Sequence, residues 1–149
     1  MPAPTVVRRS PTRVAIGVAI NLLVAALHLM DLRALLRPEL RTFVGSYFSD
    51  LALPFAFYFL LCFVDDHVTR LRSAATKAGL VFFAASGAEL LQGLGIPALG
   101  RTFDPWDLGM YAVGVGLAMA LDRLVLTPLV PAWPLAVSEE TRITRPAAR

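Results

Sequence analysis

The stretch from Ser86 to Tyr111 gathers side chains that can do chemistry. "SGAELLQG" supplies Ser86, Glu89 and Gln92, and "GRTFDPWDLGMY" supplies Arg101, Asp104, Asp107 and Tyr111. Paired carboxylates such as Glu89 and Asp107 can exchange a proton as general acid and base. A guanidinium such as Arg101 offers a planar fork for anionic oxygens, and Gln92 and Tyr111 offer hydrogen bonds. Earlier in the chain, Asp50, Pro54 and Tyr58 recur at helical spacing along one face. The candidate ligand-binding residues are therefore Asp50, Tyr58, Glu89, Gln92, Arg101, Asp104, Asp107 and Tyr111.

Other constellations carry less. Asp65, Asp66 and His67 are consecutive, so on a helix they point in different directions, and the trio reads as a solvated turn. His28, Asp31 and Asp50 lack ligand spacing, so neither a metal nor a cofactor is expected. "GLGIPALG" is glycine-rich but follows an apolar helix and lacks a phosphate-binding lysine, which argues against a nucleotide loop. There is no Ser-His-Asp motif and no H-E-x-x-H. Cys62, the single cysteine, excludes an intramolecular disulfide and reads as a packing residue.

The elements that must position these residues depend on the solvent. Of 149 residues, 56% are hydrophobic and 17% charged, and the mean hydropathy is +0.63, far more apolar than an ordinary soluble domain. A hydrocarbon core of about 30 Å takes about 20 apolar residues per helix. Four runs, 14–36, 43–64, 74–94 and 107–130, approach that length, the second interrupted by Asp50. A soluble bundle would need a polar face on each helix, which "VAIGVAINLLVAALHLM" lacks. The expected fold is all-α: a polytopic bundle of four transmembrane helices. Residues 1–13 read as a flexible basic tail and 131–149 as a disordered one. The pair Arg8-Arg9 has the look of a twin-arginine signal, but no cleavage site follows, so the first run reads as a retained helix. Pro38 is expected to end the first helix and open a short interfacial one, with Arg33, Arg37 and Arg41 as headgroup anchors or phosphate ligands.

Lysine and arginine divide ten to four between the two sides of such a bundle, the ten lying in both tails, the middle loop and at Arg123. This bias places both termini in the cytoplasm. The pI near 9.6 then reflects topology and anionic lipid, and no nucleic-acid partner is expected because no basic and aromatic motif is present. With that orientation, His28, Asp50, Glu89, Arg101, Asp104 and Asp107 all fall toward the outer ends of their helices. The expectation is a polar pocket open to the extracytoplasmic side, since an ionisable group in hydrocarbon calls for a partner or a function. The competing reading is structural: Glu89 or Asp107 paired with Arg101 to lock the helices, Tyr58 and Tyr111 as interfacial belt residues, and Gly109, Gly114 and Gly116 as helix contacts.

At these residues the chain resembles the VanZ-like family of small bacterial membrane proteins. "ELLQ" matches the family's Glu-x-x-Gln through Glu89 and Gln92, and "RTFDPWDLGMYAVG" matches its later motif through Arg101, Asp104, Asp107 and Gly114. "DLALPFAFY" meets the earlier element only in part, with Leu51 and Pro54 in place of Lys and His, and Tyr111 replaces the usual Asn. Those departures mark a divergent member or a sister group. The resemblance implies about four transmembrane helices, a cell-envelope setting and, for some members, resistance to the glycopeptide teicoplanin.

The sequence thus ranks binding of a polar or anionic envelope ligand, lipid-linked or otherwise, together with accessory roles, above transport by an oligomer. Transport ranks above catalysis by an envelope-modifying enzyme. Membrane lipids and a second copy of the chain are the other expected partners.

Overall fold

Each long helix opens on a local signal that the sequence carries. Ser10 caps the first and Pro11 occupies its first turn; Pro38 opens the second; Ser73 caps the third; Asp104 caps the fourth and Pro105 follows. The computed structural model describes residues 6–8, 10–30, 35–96 and 103–138. Its helices are α1 (Pro11–Leu29), α2 (Pro38–Leu61), α3 (Ala74–Gly93) and α4 (Pro105–Leu129), joined between α2 and α3 by turns and a 3-10 helix, Thr69–Arg72. A two-stranded antiparallel ribbon pairs β1 (Val6–Arg8) with β2 (Ala136–Ser138).

All four helices are long and apolar enough to cross a membrane. Their outer surface carries Leu22, Leu23, Phe57, Phe83, Leu117 and Leu124, all exposed, while Glu89, Asp65 and Lys77 are buried. A soluble protein does not leave so much contiguous apolar area in water. Hydrocarbon around the bundle accounts for it, because there the apolar side chains already match their solvent.

The boundaries depart from expectation in two places. Proline at a first turn lets α1 start at Pro11 instead of 14, so Arg13 belongs to the helix and not to a tail. Likewise Pro38 opens one continuous 24-residue helix, not a short interfacial piece. The far tail also joins the fold: Trp133 is buried against Tyr58, Phe59, Cys62, Ala118 and Leu126.

Up-and-down order puts the start of α1, end of α2, start of α3 and end of α4 together at the tail end of the bundle. α2 is central, packed on α1, α4 and α3, and α4 also packs on α3. Gly114 sets the α2–α4 approach: a Cβ there would clash with the carbonyl oxygen of Leu51. Gly17 likewise admits the ring of Phe63. Gly109 and Gly116, expected as contacts too, face nothing within 4 Å. α3 closes in a Schellman turn: Ile96 N–H donates to Leu91 O and Gly95 N–H to Gln92 O, both at 2.9 Å, with Gly95 at φ +78°.

Candidate functional site

Near the loop end, away from the chain tails, a cavity of about 630 Å³ lies between α2 and α3 over α4. Its head holds Ser49, Asp50, Glu89, Gln92, Asp107 and Tyr111. Five of the eight sequence candidates thus meet in one space, Asp50 and Glu89 among them. Below the head the walls are apolar, including Leu53, Phe57, Leu80 and Ala84. From Asp50 in the head to Leu61 at its foot the slot descends α2, which at about 1.5 Å per residue is about 17 Å. Leu53, Phe57, Leu60 and Leu80 are each more than two-fifths exposed, so the slot opens sideways through its own apolar walls.

Glu89 organises the head. Its side chain accepts the backbone N–H of Asp104 at Oε1 (2.9 Å) and the Tyr111 hydroxyl at Oε2 (3.3 Å). The residue is 2% exposed, and its carboxylate satisfies a donor at the start of α4 where the helix dipole favours negative charge. Asp104 is the N-cap itself, accepting from Trp106 N–H at 3.0 Å, and lies 3.5 Å from the Tyr47 hydroxyl. Asp104 therefore supports the head through Glu89 and does not line the cavity. Nearby, His28 and Ser49 hydrogen-bond at 2.9 Å, tying α1 to the rim. Arg101, expected to pair with Glu89 or Asp107, lies outside the described residues.

Tyr58 does not belong to this site. It shares a helical face with Asp50 but stands eight residues farther on, about 12 Å down the helix, and donates its hydroxyl to Asp122. There it joins a second polar cluster at the tail end that sequence reasoning missed. Asp65 Oδ2 receives Arg13 Nη2 at 2.5 Å and Lys77 Nζ at 3.0 Å. Lys77 Nζ also lies 3.8 Å from Asp122 Oδ2 and 3.2 Å from Cys62 Sγ. Trp133 donates its indole N–H to Asp122 Oδ1 at 2.6 Å and its carbonyl accepts from Arg13. The Arg13 guanidinium lies 4.8 Å over the Trp133 ring.

Two cations and two carboxylates balance in this cluster. Asp65 is 1% and Lys77 2% exposed, which corrects the solvated turn expected at Asp65 and the surface role expected of Arg13 and Lys77. His67 does remain exposed, 3.6 Å from Asp66. Asp122 enters the cluster from a π-helical segment, Leu121–Leu126, where Thr127 gives both its N–H and its hydroxyl to the Asp122 carbonyl. Such widened turns reorient the side chains they carry. Burial pushes the Cys62 thiol up to about 11, against the pull of Lys77, so Cys62 is a poor nucleophile. With two cations set against two carboxylates from three helices and the turn after α2, this cluster reads as the lock that fixes helix register. Among the described residues, no group of His, Cys, Asp and Glu side chains is arranged to hold a metal ion.

Fold and cavity together define a class: four helices of membrane-crossing dimension enclosing a slot with an acidic head and apolar walls. No family model, curated protein or solved structure matches the chain.

Proposed function

We propose that this protein holds an amphiphile in the slot between α2 and α3, its headgroup among Asp50, Glu89, Gln92, Asp107 and Tyr111 and its hydrocarbon tail against Leu53, Phe57 and Leu80. The observation that carries this reading is the polarity gradient along one cavity. A slot of about 17 Å is slightly longer than one leaflet's share of a hydrocarbon core of about 30 Å. Its lateral opening provides a route for a lipid-type molecule already dissolved in the bilayer. Trp106, exposed at the start of α4 beside Asp107, stands where an interfacial aromatic anchor belongs and supports a head at headgroup level.

Both termini are assigned to the cytoplasm on the lysine and arginine bias, so the head would face the extracytoplasmic leaflet. The VanZ-like motif residues Glu89, Gln92, Asp107 and Gly114 lie at or beside the head, which supports an envelope setting and a test for altered glycopeptide susceptibility. Binding is preferred over catalysis because Glu89 is committed to two fixed donors.

A fluorescent single-chain amphiphile titrated onto the purified protein tests the reading. Saturable binding that is abolished by Ala88→Trp, a substitution into the slot wall, is expected. Non-saturable partition, identical in the parent and the variant, would refute it.

A further inference from the structure

The head of the slot is rich in acceptors, and that asymmetry bears on what it can hold. Asp50, Glu89 and Asp107 bring three carboxylates to one end of the cavity, and among the described residues no lysine or arginine lines it. Pro54, buried in the wall one turn below, has no N–H to give to the Asp50 carbonyl, so the helix itself adds a further acceptor beside the Asp50 carboxylate. The donors available are few. Tyr111 spends its hydroxyl on Glu89, which leaves the Gln92 amide and the Ser49 hydroxyl, the latter engaged with His28.

We infer that the slot selects a lipid whose head ends in a primary ammonium group, which places its N–H donors among Asp50, Asp107 and the freed Asp50 carbonyl. This rests on the slot being an amphiphile site and names the head that fits it. An ammonium has three donors and no acceptor, the complement of this lining, and its charge relieves repulsion between carboxylates in surroundings of low dielectric. An anionic head would meet like charge. A quaternary ammonium would bring the charge without a hydrogen to donate, so donor chemistry and charge are separable.

The test reconstitutes the full-length protein in mixed bilayers of phosphatidylethanolamine, phosphatidylcholine and phosphatidylglycerol, re-extracts it in mild detergent and measures the retained lipids by native mass spectrometry. Phosphatidylethanolamine is expected to be enriched over each of the others by about tenfold or more relative to the bilayer, the size of one charge-assisted hydrogen bond. The Asp50→Asn and Asp107→Asn double variant is expected to return the ratio to that of the bilayer. Retention of one lipid per chain without regard to head would overturn the ammonium inference and leave the slot reading standing. No retained lipid, or equal retention in Ala88→Trp, would overturn both. The parent comparison needs no variant to fold.

Discussion

Glu89 and Asp122 show how single carboxylates do different work at opposite ends of one bundle. Glu89 satisfies a backbone donor and a tyrosine hydroxyl. Glu89→Gln, which keeps one acceptor oxygen, is expected to cost about 1 kcal/mol, and Glu89→Leu, which leaves both donors unmet, about 2 to 4 kcal/mol. Denaturation of the two variants in the same detergent checks the order. Lys77→Met leaves Asp65 paired with Arg13 and Asp122 held by the neutral donors Tyr58 and Trp133, so a loss of about 3 to 5 kcal/mol is expected, as for breaking a buried ion pair from one side. A Lys77→Met variant as stable as the parent would show that the network contributes little. The Cys62 thiol, with its pKa near 11, is expected to alkylate at pH 8 about a hundredfold or more slowly than a free thiol. Reaction should become fast only in denaturant. At this scale the sequence was informative for Asp50, Glu89, Gln92, Asp107 and Tyr111, because depth within each apolar run places them at a common level. It misled for Tyr58, where the shared face was right and the depth wrong. Arg13 reads as part of a basic tail and Lys77 as a loop cation, because nothing local distinguishes a buried cation from an exposed one.

Among the elements, the closeness of α2 and α4 depends on Gly114. Gly114→Ala sets a methyl group against the Leu51 carbonyl and is expected to destabilise by about 1 to 3 kcal/mol as the helices part. Gly109→Ala, which meets nothing, is expected to be neutral or to stabilise by up to about 1 kcal/mol through helix propensity. Thermal unfolding of the pair, read side by side, separates packing from propensity. Equal effects at the two positions would contradict the assigned α2–α4 contact. Helix starts were legible as Ser10-Pro11, Pro38, Ser73 and Asp104-Pro105. The π-helical turn was not, since its register depends on Thr127 reaching back to Asp122 and on the tertiary partners that hold Asp122 inward. Pro38 was legible as a helix start, but the unbroken run of α2 from Pro38 to Leu61 was not, because the arginines around the proline look like a short interfacial piece set apart from the apolar run.

Among the described residues two polar layers bracket an apolar middle, and the loop-end layer heads the slot. The tail-end layer is tightly tied: Trp133 and Tyr58 are buried there beside two cations and two carboxylates in contact. The loop-end layer borders the slot, whose lower walls at Leu61, Leu80 and Val81 stand within one helical turn of Cys62 and Lys77. Rigidity at one end thus supports an opening at the other, which is how a small four-helix chain can keep a cavity between loosely joined helices. The sequence made the number and polarity of the helices legible, but the slot arises from which pairs pack closely and which stand apart. The most direct measurement is native mass spectrometry of the parent, Ala84→Trp in the slot wall and Val113→Trp on the exposed face of α4. The account predicts a lipid adduct on the parent and on Val113→Trp, none on Ala84→Trp, and similar unfolding temperatures for all three. An adduct retained equally by Ala84→Trp would contradict it.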